Sequence, residues 1–169
     1  QTYVIVQDNM GACTDLEPNV GGMVAGRIVD GNGENVQSVS IAVNGADEKS
    51  MTTSADGQYQ FVLPMGGDYT VTPQKDMNPL NGVSTFDLIL IKKHILNIES
   101  LDSPYKMIAA DVNNSGTIST LDIVKLRKLI LQITDEFEDN TSWRFIDANY
   151  VFPNPLNPFI EIFPEVVNI

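Results

Sequence analysis

Asp111, Asn113, Ser115, Thr117, Ser119 and Asp122 hold the first, third, fifth, seventh, ninth and twelfth places of the stretch DVNNSGTISTLD, residues 111–122. Each can turn an oxygen inward, Thr117 through its backbone carbonyl and the others through their side chains. Oxygens at that spacing wrap a hard cation such as calcium in a twelve-residue loop. Such a loop needs glycine at the sixth place for a sharp turn and an apolar residue at the eighth to pin it to a core. Gly116 and Ile118 stand at those places. The same residue types also make ordinary turns, and Asp122 or Ser119 can simply cap a helix. Both assignments are open on this stretch alone.

Thirty-five residues earlier the chain reads DMNPLNGVSTFD, residues 76–87. Asp76, Asn78, Ser84 and Asp87 align with Asp111, Asn113, Ser119 and Asp122. The following runs, LILIKKHILNI (88–98) and IVKLRKLILQI (123–133), align as well. A loop-plus-helix unit repeated in tandem is far more specific than one loop, and two calcium ions are expected. The first loop is degenerate. Leu80 at the fifth place has no side-chain oxygen, so its carbonyl or a water must serve, and Gly82 at the seventh offers a carbonyl. Asn81 replaces the turn glycine, and Asn tolerates the left-handed conformation. Both loops end in Asp where the EF-hand template has Glu, so each following helix must start closer to the ion. Two formal carboxylates per loop place the affinity near the weak, extracellular end, roughly 10⁻⁵ to 10⁻³ M.

The paired Asp-x-Asn starts, the SerThr-apolar-Asp ends and a strand-like Val71-Thr72-Pro73 in place of a helix before the first loop resemble the dockerin type I domain, over about residues 74–134. The resemblance implies a non-catalytic module that binds a cohesin domain on a partner through its helix surfaces. Its helices are unusually apolar: Phe86, Leu88, Ile89, Leu90, Ile91, Ile95, Leu96 and Ile98 cover more than one face of the first. A helix with one buried face needs an apolar stripe only about 100° wide. Either each helix packs on its twin and on the preceding domain, or part of this surface takes a partner. His94 reads as a surface residue, since calcium prefers oxygen. Ser103-Pro104 suggests the start of a short helix running to Ala110.

Residues 20–73 alternate apolar and polar in short runs broken by turn residues, a β pattern. Strands are expected at Met23–Val29, Val36–Val43, Lys49–Thr53, Tyr59–Leu63 and Tyr69–Thr72. Gly26, Gly31, Thr53, Asp56-Gly57-Gln58-Tyr59, Phe61 and Tyr69 resemble the carboxypeptidase-regulatory-like or CnaB-like family. That resemblance implies an Ig/prealbumin-like sandwich used as a spacer or stalk. The residues of an internal isopeptide cannot be placed, so none is expected. The expected whole is α+β: a small sandwich packed rigidly on a two-helix dockerin-like calcium module, with an extended C-terminal tail. The divisions are a 1–19 N-terminal extended segment, the 20–73 sandwich, the 74–134 calcium module and a 135–169 aromatic, proline-rich tail. Thr2–Val6 and Phe159–Phe163 read as strands without evident partners, a pattern that permits strand donation between subunits and head-to-tail fibres, with pairing inside the chain as the alternative. Sandwich, tandem loops and the WRFID…NPLNPF tail together are similar to very large surface proteins secreted by Bacteroidota.

The chain of 169 residues carries 22 Asp and Glu against 10 Lys and Arg, a net charge of −12, which argues against nucleic-acid binding. The single cysteine, Cys13, cannot bridge within the chain; it is a buried free thiol or pairs outside it. Gln1 opens directly on strand-like TYVIV without a leader, as a mature, processed or excised piece would. No apolar run has the length of a membrane span. One His, one Cys and no phosphate-cradling glycine loop leave no enzyme signature. Two functions follow, both extracellular or at the cell surface. The one that the short interdomain link and the aromatic tail favour is a calcium-stiffened building block of a surface or matrix assembly, such as a fibre, that self-associates. The other is an adaptor for a cohesin-like domain on a separate protein.

Overall fold

A computed structural model of the chain describes residues 2–8, as backbone, and residues 21–169. Cys13 and most of the expected N-terminal segment lie outside the described residues. The chain is of mixed α and β structure and forms two compact units. One unit is built from Asp76–Arg144 and Val151–Phe163. The other holds the described residues between 4 and 75, with Phe145–Tyr150 and Pro164–Ile169.

The β unit contains two four-stranded sheets. The first has the order β5 (Gln58–Leu63), β2 (Gly22–Asp30), β1 (Thr2–Asp8), β7 (Trp143–Asp147). The second has the order β4 (Lys49–Thr52), β3 (Ser40–Gly45), β6 (Tyr69–Gln74), β8 (Val167–Asn168). β2 runs antiparallel to both β1 and β5, and β6 antiparallel to both β3 and β8. Alternation fixes which side is buried. Along β5, Tyr59, Phe61 and Leu63 are buried while Gln58, Gln60 and Val62 are exposed. Ile41 and Val43 of β3 and Val71 of β6 are buried likewise, as are Ile28 and Ile146. Gly57 makes the Asp56 turn at φ +68, where a Cβ would stand 2.5 Å from the Ile28 carbonyl oxygen. Only glycine fits there.

Two strand expectations are corrected. The run Val36–Val43 becomes a strand only from Ser40, because Ser38 takes φ 60 and breaks the extended path. The buried Thr53 side chain holds the detour, accepting from Val39 N at 3.0 Å and donating to Val36 O at 2.9 Å. Phe159–Phe163 forms no strand. Its flanking prolines and the Asx turns at Asn154 and Asn157, which accept from Leu156 N and Phe159 N, coil it instead. The last strand is β8, paired with β6 of the same chain, and β1 pairs with β2. The two loose terminal strands expected for strand donation are therefore not found among the described residues.

The other unit carries α1 (Thr85–Ile95), α2 (Pro104–Ala110) and α3 (Thr120–Ile130). α1 and α3 pack on each other. Their core is Ile91, Leu101, Met107, Ala110, Val112 and Leu126, with Ile118 and Phe159 packed against it. Each helix starts in a capping box, Ser84 with Asp87 and Ser119 with Asp122. Each ends alike. Asn97 at φ 52 and Gln132 at φ 53 turn the chain left-handed, and Ile98 N and Ile133 N reach back to Lys93 O and Lys128 O. These are Schellman ends, so the apolar runs to 98 and 133 outlast their helices by three residues. α2 begins at Pro104 with Ser103 as N-cap residue, although that side chain makes no capping bond.

Candidate functional site: the second acidic loop and the helix face

The loop before α3 folds inward on its first carboxylate. Asp111 Oδ1 accepts from Ser115 N at 2.9 Å and Ser115 Oγ at 3.3 Å, and Oδ2 from Gly116 N at 2.7 Å. Gly116 takes φ +75, the left-handed conformation that turns the chain sharply after its N–H has bonded to Asp111. Asp122, in the first turn of α3, divides its two oxygens. Oδ2 closes the capping box with Ser119 N at 2.8 Å, while Oδ1 faces the loop and accepts from Asn113 N at 3.2 Å. Thr117 O accepts from Ser115 Oγ at 3.1 Å. Ser119 Oγ is turned to the cap, 3.0 Å from Asp122 Oδ2 and 3.2 Å from Leu121 N.

Asp111 is 2% exposed and Asp122 is 0% exposed. No Lys, Arg or His among the described residues forms an ion pair with either. Buried carboxylates are costly unless a counter-charge or a metal compensates them. The Asn113 amide marks where such a charge would sit. One of its terminal atoms lies 2.9 Å from each of Asp111 Oδ1, Ser115 Oγ and Asp122 Oδ1. As nitrogen, that atom has two hydrogens for three acceptors. As oxygen, it faces two carboxylate oxygens that can only repel it, and a cation among them would relieve that repulsion. The donor set, two carboxylates with neutral oxygens, suits a hard cation. Among the described residues no three His, Cys, Asp or Glu side chains gather at a metal-like spacing, so neutral oxygens must complete any shell.

The earlier loop is arranged differently. Asp76 Oδ1 accepts from Ser142 N at 2.9 Å and Ser142 Oγ at 2.8 Å, a partner 66 residues away. Asp87 Oδ2 closes the α1 capping box with Ser84. The left-handed residues are Asn78 and Gly82, against Asn114 and Gly116 in the second loop, so the two backbones do not superimpose place for place. Asn81 N donates to Asn78 O and Val83 N to Leu80 O, two tight turns in place of one wrap.

Residues after 134 contribute supports that spacing did not reveal. Asn140 Nδ2 donates to Asp111 O at 3.0 Å, and Arg144 donates to Asn114 Oδ1 at 2.9 Å. Trp143 Nε1 donates to Met77 O at 3.2 Å. No local pattern announces contacts of this range; the polar NTS between the acidic run and Trp143 is the only trace.

Away from the loops, a groove of about 590 Å³ runs between α1 and α3. Leu88, Ile89, Leu96, Ile123 and Leu131 line it, with Lys92, Lys93 and Arg127 also at its walls. Leu96 and Leu131 are 55% and 61% exposed. Beside the groove, Phe86 and Leu121 are exposed as well. Five of the chain's ten Lys and Arg, Lys92, Lys93, Lys125, Arg127 and Lys128, fall on these two helices.

Residues 74–149 match the family model of the Dockerin type I domain. No curated protein and no solved structure gives a significant match. The chain therefore carries a dockerin-like module. Domains of this type are non-catalytic, bind calcium, mediate calcium-dependent protein–protein interaction and occur in extracellular or cell-surface proteins. No helix among the described residues is long and apolar enough to cross a membrane.

Proposed function

We propose that this chain is a calcium-stabilised, non-catalytic adaptor of the extracellular space, which presents the α1/α3 face to a cohesin-like domain on a partner protein. The observation that carries the proposal is the exposed apolar groove with cations at its walls, on a chain of net charge −12. Apolar surface of this kind contributes about 25 cal/mol per Å² when covered. The cations select a partner surface that is acidic around an apolar centre.

Asp111, Asn113, Ser115 and Asp122 would hold one calcium ion by their side chains and Thr117 by its carbonyl, with Ser119 completing the shell directly or through water. The ion would supply the counter-charge that the two buried carboxylates lack and fix the start of α3. Asp76, Asn78, Ser84 and Asp87, with the carbonyls of Leu80 and Gly82, form a second and weaker site. There calcium must compete with the Ser142 bonds for Asp76.

The preceding domain would serve as a CnaB-like sandwich spacer. Its two antiparallel-built sheets, each with one buried side, support that assignment. A self-assembling building block is the other reading, but β1 and β8 are paired in the chain, so the described residues offer no free terminal strand to donate.

The test is binding of the full chain to a panel of cohesin domains in calcium and in chelator. Calcium-dependent capture, abolished by Leu131→Asp, is expected. Large homo-oligomers in calcium that dissolve on chelation, with no cohesin bound, would favour the building block.

A further inference from the structure

The segment Val151–Phe163 has no regular secondary structure, yet it is grouped with the calcium-loop unit. Two aromatic contacts and one cation hold it there. Phe159 packs against the α1/α3 core, and its Cβ stands 4.0 Å from the position a Cβ would take on Gly116, the turn residue of the second loop. Phe152 is buried, with Tyr105 edge-on at 5.6 Å and Phe163 at 5.9 Å. The Arg144 guanidinium lies 5.4 Å from the Phe163 ring centre while donating to Asn114 Oδ1, inside the same loop. Asn140, which also accepts from Arg144, holds the Asp111 and Val112 carbonyls. The segment thus lies beside the second loop near Gly116 and is tied to it, through Arg144, at Asn114. The opposite face is bare, with Ile162 at 99% exposure.

We propose that Val151–Phe163 is a strap whose seating is coupled to the cation in the second loop. The inference rests on the calcium assignment made above. A cation that fixes Asp111–Asp122 fixes Asn114, to which Arg144 bonds, and Val112, part of the core against which Phe159 packs. By linkage, the seated strap must raise the loop's affinity for the cation by the same factor. Arg144 is a positioning residue here, not a ligand.

Two measurements on the full chain test this. In the first, calcium is titrated calorimetrically into the wild type, Phe159→Ala and Arg144→Gln. Each variant is expected to bind about five- to tenfold more weakly, the low end of ordinary couplings. Arg144→Gln keeps the test sound if Phe159→Ala folds poorly, because it removes the guanidinium bond to Asn114 without opening the core. In the second, chymotrypsin is applied to the wild type. Cleavage after Phe159, which Ile160 follows, is expected to be fast in chelator and suppressed by calcium; Phe163 precedes Pro164 and resists this protease. Wild-type calcium binding with unchanged affinity in both variants and calcium-independent cleavage would overturn the coupling and leave the calcium site standing. Absence of calcium binding in the wild type would overturn both.

Discussion

Asp122 serves two structures with one carboxylate. Its Oδ2 caps α3 through Ser119, and its Oδ1 faces Asn113. From spacing, cap and ligand are alternatives; the geometry permits both at once. Asp122→Ala is therefore expected to cost about 1 kcal/mol in chelator, the worth of a cap, and more in calcium. At a calcium concentration a hundred times Kd the extra loss would approach ~2.7 kcal/mol. Thermal melts of variant and wild type in both media measure the two parts. An equal loss in both would leave only the cap. Gly116→Ala isolates the backbone: the added methyl meets only Phe159 at van der Waals distance. Its cost, about 1–2 kcal/mol by urea titration, is expected from the positive φ alone. The oxygen pattern of residues 111–122 was legible because all its members are local. The bonding of Asp76 to Ser142 was not, since nothing in DMNPLNGVSTFD points 66 residues downstream.

At the scale of elements, the repeat was legible in its helices and less so in its loops. Capping boxes and Schellman ends recur at matching places, because Ser, Asp and the left-handed Asn97 and Gln132 sit 35 residues apart. The strand boundaries show what alternation leaves out. Ser38 interrupts an apolar run through its own backbone angle, and Phe159–Phe163 alternates like a strand yet is coiled by its prolines and Asx turns. Substitutions on the helix face separate binding from folding. Leu131→Asp and Ile89→Asp, at exposed positions, are expected to change stability by no more than about 0.5 kcal/mol while abolishing capture by the partner. A large stability loss would place these residues in the core instead. The Asp56 turn gives a pH signature. Its carboxyl is held below the ordinary value of 3.8 chiefly by the Gln58 backbone N–H, then by the Ser54 hydroxyl. A depressed carboxylate stabilises the fold above its unfolded pKa, and that contribution disappears as pH falls through the folded value. Asp56→Asn is expected to flatten the acid limb of the stability curve below about pH 4, measured by melts across that range. An unchanged limb would remove this turn from the acid response.

At the scale of the whole molecule, the module is not completed by its repeat. Asn140, Ser142, Trp143 and Arg144 bond to Asp111, Asp76, Met77 and Asn114, so the matched region's extension to residue 149 has a structural meaning. A fragment of residues 74–134 is expected to lose these bonds, at about 1–3 kcal/mol for each buried group left unpaired, and to melt well below the full chain in the same calcium buffer. Equal melting would show the later residues to be ornamental. The charge of −12 adds a general repulsion that bound cations relieve.

The most direct measurement is a calorimetric titration of the full chain with calcium beside Asp111→Ala and Asp76→Ala. A saturable site with Kd of about 10⁻⁵ to 10⁻³ M, lost in Asp111→Ala and retained in Asp76→Ala, is the expected result. No saturable binding, or binding that survives Asp111→Ala unchanged, would contradict a cation site in the second loop.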